Sequence, residues 1–265
     1  MGTISGFAVG RRWLKAECYV FSERFRQRPV GKTFGSVRSL IPLRTMSGPQ
    51  WAESELEAKA IQQFAFQPQI YDIFTQPIIY TDNENGIRSY TPDFLVQLSS
   101  EESPPVRRFV IEVKRKAALE RLDLGARQRI GLGRRFAKTI KAEFRILTEV
   151  EIETDYLSNV QLLDPHFADQ PGDGWEEIME ITDMGPISWG KLAQELAALN
   201  ISRPKALAAI EAAIAWRAVL CDLSVPIGEQ SILRKSEHCS DRMKRKFDPF
   251  INTVLRANNG AGLAV

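Results

Sequence analysis

Apolar positions change rhythm several times along the chain. From Trp51 to Phe66 (WAESELEAKAIQQFAF), Leu56, Ala60, Ile61 and Phe64 recur on one face of a 3.6-residue period, which predicts an amphipathic helix. The next stretch is β-branched and aromatic. Tyr71 to Tyr80 (YDIFTQPIIY) predicts a strand, with Pro77 placing it at an edge or bulge. TDNENG reads as a turn with Asn85-Gly86 as the hairpin signal, Ile87 to Leu98 as a second strand, and Arg107 to Lys114 as a third. A long helix follows from about Ala117 to Lys141, with Gly125, Gly131 and Gly133 as weak points, and EFRILT (Glu143 to Thr148) closes with another strand. The predicted order is α-β-β-β-α-β.

Outside this stretch the pattern loosens. Residues 1–48 are punctuated by Gly, Pro and Ser and read as a basic, irregular arm; residues 151–174 read as a linker broken at Asp164-Pro165 and DQPGDG. From 175 to 255 the chain turns helical. WEEIMEITDMG, PISWGKLAQELAAL and RPKALAAIEAAIAWRAVL, with LSVPIGEQSILRK as a short hairpin, predict a winged-helix-like domain. Plain helical pairs look much the same, so DNA reading, protein docking and a purely structural role all stay open for it. Residues 256–265 read as a disordered tail. The expected fold class is therefore α/β, with a mixed sheet flanked by helices over 49–150 and a smaller, mainly helical domain after it.

At 265 residues the chain can bury one good core and a second, smaller one. No apolar run approaches the length of a membrane span. The short apolar stretch at the N-terminus precedes its charges instead of following them, so no signal peptide is read, and MGTISG suits N-myristoylation only loosely. Three cysteines, Cys18, Cys221 and Cys239, are too few and too scattered for a disulfide scaffold and point to a reducing cytoplasm. Cys221, His238 and Cys239 lack the paired spacing and the fourth ligand of a zinc site, so idle or buried thiols are the better reading.

The net charge of +2 does not by itself advertise nucleic-acid binding. Its distribution does. Between Lys114 and Lys141 basic residues crowd together, opposed only by Glu120 and Asp123. Arg115, Lys116, Arg127, Arg134, Arg135 and Lys138 are the candidate DNA contacts in this tract. A charge run is usually a solvated face, but two basic tracts, this one and the arm, flank a set of carboxylates, which favours phosphate contact.

The carboxylates carry the chemistry. Thr91-Pro92-Asp93-Phe94 opens the apolar half of the second strand, and Glu112-Val113-Lys114 ends the third. Residues two apart on a strand face the same side, so Glu112 and Lys114 project together while Ile111 and Val113 point to the opposite face. Antiparallel pairing of the two strands would bring Asp93 beside Glu112. Phosphodiester cleavage uses this set: hard oxygen ligands for Mg²⁺, a water activated by the metal, and a lysine beside the phosphate. A carboxylate from the first helix can complete the metal shell, and Glu53, Glu55 and Glu57 are available there. Glu-x-Lys alone is common and means little, and the competing reading is a surface hairpin with an ordinary Glu–Lys arrangement.

The Pro-Asp, Glu-x-Lys pattern within this element order resembles the restriction-endonuclease-like superfamily. More narrowly, Ser54-Glu55-Leu56-Glu57, Thr91-Pro92-Asp93-Phe94 and Glu112-Val113-Lys114 before a charged helix resemble the TnsA family, the endonuclease subunit of heteromeric cut-and-paste transposases. The resemblance implies Glu57 as the helix carboxylate, Asp93 as the central metal ligand and Lys114 as the catalytic lysine. Glu112 falls where the family carries Gln or Glu, and the Val113 carbonyl is a further ligand. It implies Mg²⁺, with Mn²⁺ able to substitute, and double-stranded DNA cut at the 5′ ends of a transposon. The implied partners are a separate DDE transposase (TnsB-like) and a AAA+ regulator (TnsC-like) that binds the C-terminal region. The expected location is cytoplasmic and associated with DNA. Two rival readings remain: a stand-alone restriction or repair nuclease of the same fold, and a non-catalytic DNA-binding adaptor. The presence of all four residues weighs against the second.

Overall fold

The computed structural model describes residues 17–21, 38–43, 48–67, 69–82, 88–98, 107–167, 172–236 and 249–257. Three short strands come first: β1 (Glu17–Phe21), β2 (Ser39–Ile41) and β3 (Gln50–Ala52), with β2 and β3 paired antiparallel. The stretch read as an irregular arm thus contains strands. Its basic residues Arg11, Arg12, Lys15, Arg24, Arg26, Arg28, Lys32 and Arg44 lie outside the described residues.

The first helix, α1 (Glu55–Ala65), buries Leu56, Ala60, Ile61 and Phe64, the face that the periodicity marks out. The strand expected over 71–80 is two strands. β4 (Ile70–Thr75) ends at Gln76, whose φ of 46° is a left-handed conformation uncommon for a residue with a side chain, and β5 (Ile78–Asp82) starts after Pro77. Proline donates no ladder hydrogen bond, so the chain leaves one sheet and enters another at this point. The strand expected over 87–98 is likewise split by Thr91-Pro92-Asp93, into β6 (Arg88–Tyr90) and β7 (Phe94–Leu98). β1, β5 and β6 form an antiparallel sheet of their own.

β8 (Arg107–Val113) leads into two helices where one is expected: α2 (Lys116–Glu120) and α3 (Leu124–Thr139). The break falls at Asp123, whose side chain caps α3 by accepting from the Ala126 N–H, and the three glycines all lie inside α3. β9 (Glu143–Leu147) and α4 (Glu149–Ile152) follow. The central sheet runs β4-β7-β8-β9, antiparallel except for the β8–β9 pair, which α2 and α3 connect. Around this sheet the order α1, β4, β7, β8, α3, β9 is the α-β-β-β-α-β of a restriction-endonuclease-like core, and β5 and β6 are an excursion from it.

Strand parity assigns the two faces. Phe74, Leu95, Val110 and Phe144 are opposite one another in a row across the four strands and pack with Ile130, Leu132, Phe136 and Ala137 of α3. On the other face Phe94 meets Phe64 of α1 edge to face at 6.3 Å. The sheet is therefore buried on both sides over its middle.

The described residues fall into two compact units. One takes in those of 1–65, 70–152 and 254–265, the other 66–69 and 153–253. The second begins inside the stretch read as a linker, which is largely structured: α5 (Asp155–Leu163) buries Tyr156, Leu157, Val160 and Leu163, and a 3-10 turn (Asp164–Phe167) follows it. Next come α6 (Trp175–Asp183), β10 (Ile187–Ser188), α7 (Trp189–Ala198), α8 (Arg203–Ala215), β11 (Val219–Leu220) and β12 (Ile232–Lys235), with sheet order β10-β12-β11. This is the helix-strand-helix-helix-strand-strand order of a winged helix, and residues 221–231 form the loop between its last two strands. α9 (Pro249–Arg256) ends the described chain but for Ala257. No helix among the described residues is long and apolar enough to cross a membrane.

Candidate active site

The register of the central sheet puts Phe94 opposite Ile111, which brings the next residues outward, Asp93 and Glu112, to the same end of the sheet. Both share the parity of Leu95 and Val110 and so lie on the face that α3 covers. Asp93 stands just before β7 begins, and its side chain takes over the ladder: Oδ2 accepts from the Val113 N–H at 2.8 Å. The Lys114 N–H donates to the Leu147 carbonyl at 3.0 Å, so the lysine is anchored to the end of β9.

These contacts leave the Lys114 ammonium in a ring of oxygens. Nζ lies 2.9 Å from Glu112 Oε2, 3.3 Å from Asp93 Oδ2 and 3.2 Å from the Val113 carbonyl oxygen. Burial opposes the charge on Lys114, but Asp93 and Glu112 outweigh it and hold its pKa above the usual lysine value. Lys114 is thus a fixed cation and not a proton acceptor at neutral pH.

Glu57 comes from the first turn of α1, where its backbone N–H donates to Ser54 Oγ at 3.2 Å and its carboxylate accepts from Ser54 Oγ at 3.0 Å and the Glu53 N–H at 2.9 Å. This reciprocal arrangement is a variant of the capping box, with the carboxylate on the Glu53 N–H and the Ser54 hydroxyl, and it fixes the start of the helix. Burial, and then the negative charge of Asp93, raise the Glu57 carboxyl to about 7 despite those hydrogen bonds. Glu112, buried, is also raised to about 7, by burial first and Asp93 second, against the opposing pull of Lys114 and Tyr90. Of the other acids near this helix start, Glu55 is exposed and pairs with Lys59, while Glu53 precedes the helix and accepts from Gln76 Nε2 at 3.0 Å.

Among the described residues no three His, Cys, Asp or Glu side chains are gathered closely enough to hold a metal ion. The spacing around Lys114 is that of hydrogen bonds, longer than the ~2.0–2.1 Å of a Mg²⁺–oxygen bond. The donor set nevertheless suits a hard cation. It offers carboxylate and carbonyl oxygens only, an ammonium already stands at their focus, and two of the carboxyls are destabilised as anions by burial and by a neighbouring negative charge.

The candidate DNA contacts lie on and beside α3. Arg127, Arg134 and Lys138 recur at helical spacing on the side away from Phe136 and Ala137; Arg127, Arg135 and Lys138 are exposed and Arg134 is half-buried. Arg115 is exposed between β8 and α2. Lys116 opens α2, exposed, with its N–H on Glu149 Oε2 at 2.9 Å, which takes it out of strand alignment with Lys114.

Residues 59–149 match the family described as TnsA-like endonuclease N terminal. This segment is a TnsA-like endonuclease domain. The match takes in the central sheet, α3, Asp93, Glu112 and Lys114, and begins just after Glu57. No curated protein matches the chain. Within the TnsA-like domain, sequence reasoning missed Tyr90, whose buried hydroxyl donates to Glu112 Oε1 at 2.6 Å, and Gly133, over which the tyrosine is seated. No local signal marks either one, because both owe their place to strands and helices far apart in the chain.

Proposed function

We propose that this protein is a metal-dependent DNA endonuclease, the subunit of a heteromeric transposase that hydrolyses the 5′ strands at transposon ends. The observation that carries the reading is the focus of Asp93, Glu112 and Val113 oxygens on one cation, Lys114 Nζ, inside a TnsA-like domain.

Asp93, Glu112, the Val113 carbonyl and Glu57 would hold Mg²⁺, with Mn²⁺ as a substitute. When bound, such an ion activates water and offsets charge on the scissile phosphate. The chain's own residues supply the rest. Asp93 is held to the backbone of Val113, so its carboxylate is aimed before substrate arrives. Lys114, kept protonated by its neighbours, places a fixed positive charge where negative charge grows on the phosphate. Arg115, Lys116, Arg127, Arg134, Arg135 and Lys138 would track the backbone of double-stranded DNA through its phosphates, which gives affinity without sequence choice.

The second unit fits a protein partner better than DNA. α8 stands at the recognition-helix place of a winged helix, yet Ala206, Ala209, Ile210 and Ala212 through Ala215 are buried, and its exposed Arg203 and Lys205 are paired with Glu229 and Asp173. Acidic residues outnumber basic ones twelve to six among the described residues of this unit. A DDE transposase (TnsB-like) and a AAA+ regulator (TnsC-like) are the partners this reading calls for.

The test is strand-specific cleavage of end-labelled DNA with Mg²⁺ or Mn²⁺, wild type beside Asp93→Ala, with and without a DDE transposase in trans. The expected result is 5′-strand cutting at transposon ends by wild type and none by a folded Asp93→Ala protein. Sequence-specific cutting without any transposase would replace this reading with a stand-alone nuclease. Full cutting by Asp93→Ala would overturn the site.

A further inference from the structure

Tyr90 is the last residue of β6, a strand of the β1-β5-β6 sheet, yet its side chain reaches the end of the central one. Its ring packs beside Phe136 at 6.4 Å and over Gly133. A β-carbon on Gly133 would stand 2.7 Å from the Tyr90 hydroxyl oxygen and 2.8 Å from Cζ, so the seat exists only because α3 carries glycine there. In that seat Tyr90 is 5% exposed. A buried hydroxyl must find a partner, and this one donates to Glu112 Oε1 at 2.6 Å.

The two oxygens of Glu112 are thereby divided. Oε1 belongs to Tyr90, and Oε2 faces Lys114 Nζ at 2.9 Å, the point on which the other oxygens converge. A carboxylate turned by a donor on one oxygen presents its other oxygen to a cation, and ligation through both oxygens becomes the less favourable mode. Mg²⁺ and Mn²⁺ suit single-oxygen ligands in an octahedron, whereas Ca²⁺ accepts more ligands and takes carboxylates through both oxygens. Phenylalanine would fill the same apolar seat, so packing alone does not account for the hydroxyl.

We propose that Tyr90 is a positioning residue: it presents one oxygen of Glu112 to the cation and so biases the site toward a small octahedral cation over Ca²⁺. The proposal rests on the metal-dependent nuclease reading above.

Calorimetric titration of the full chain with Mn²⁺ and with Ca²⁺, wild type beside Tyr90→Phe, tests it, with thermal unfolding recorded for each. Mn²⁺ affinity is expected to fall by about tenfold or more in Tyr90→Phe, the usual effect of removing a group that orients a ligand. Ca²⁺ affinity should hold or rise, so that the preference narrows. Gly133→Ala, whose added methyl would crowd both the Tyr90 hydroxyl and the Phe144 ring, should, in a protein that still unfolds as wild type does, narrow the preference in the same direction. Unchanged affinities in a folded Tyr90→Phe protein would overturn the proposal, and so would an equal fall for both ions, the mark of a merely structural role. Failure of wild type to bind either ion would instead overturn the metal reading itself, and this proposal with it.

Discussion

In the first unit Asp93, Glu112 and Lys114 come together at the end of a sheet that is buried on both faces, with Glu57 close enough to feel the Asp93 charge, whereas in the second the pairs Arg203–Glu229, Lys205–Asp173 and Lys235–Asp183 stand largely in solvent. The second unit meets its buried polar needs mostly with neutral groups. Asn159 donates to the Leu223 and Val225 carbonyls at 3.0 and 2.7 Å and accepts from the Ile227 N–H at 3.1 Å, holding down the loop after β11. Its Arg217 lies over the Phe66 ring at 4.5 Å. Exposed ion pairs contribute little to stability, and satisfied amides contribute a great deal when lost. Like charges crowded out of water are unfavourable, and a fold that keeps them does so where chemistry needs them. The difference is that the first unit keeps charged groups crowded out of water, as the nuclease reading requires, and the second leaves most of its charges in solvent.

Three experiments probe that contrast beyond those above. Lys114→Ala has the largest expected effect. Loss of a fixed charge beside the phosphate should slow single-turnover cleavage on the order of 10²–10³-fold, while Mn²⁺ binding survives because the oxygen ligands remain. Equal loss of affinity and rate would mean that the lysine organises the ligands, and would erase the distinction drawn between its role and theirs. Asn159→Leu addresses the other unit. It leaves the three backbone groups of the loop without their partner, and urea unfolding should report a loss of about 1–3 kcal/mol with Mn²⁺ affinity unmoved. A change in metal binding would show that the two units are not separable in function. The smallest effect belongs to Arg127→Ala combined with Lys138→Ala. Each charge removed should lower the slope of log affinity for duplex DNA against log salt by about 0.9, with cleavage at saturating DNA unchanged. An unaltered slope would remove α3 from the DNA interface.

Much of the first unit was legible along the chain. The 3.6-residue rhythm of Leu56, Ala60, Ile61 and Phe64 is a property of one segment, and α1 buries that face. The two-residue period of a strand places Glu112 and Lys114 on one side and Ile111 and Val113 on the other without reference to any partner, and Lys114 Nζ does meet Glu112. Breaks were harder to place. Pro77 reads as an edge or bulge and Pro92 as part of one continuous strand, yet at both the chain changes sheets. The glycines of α3 suggested a break in the long helix, and Asp123 made it instead, because a side-chain cap can end one helix and start another while a packed glycine need not.

The sequence by itself determined which residues could share a face, because periodicity is written within a single element. Only the tertiary structure decided which faces meet. The register that pairs Phe94 with Ile111 sets Asp93 on the Val113 N–H, and the course of the chain through a second sheet carries Tyr90 back to Glu112 over Gly133. Those contacts join segments whose neighbours are fixed by packing and hydrogen bonding between strands and helices, and no local pattern of residues specifies them.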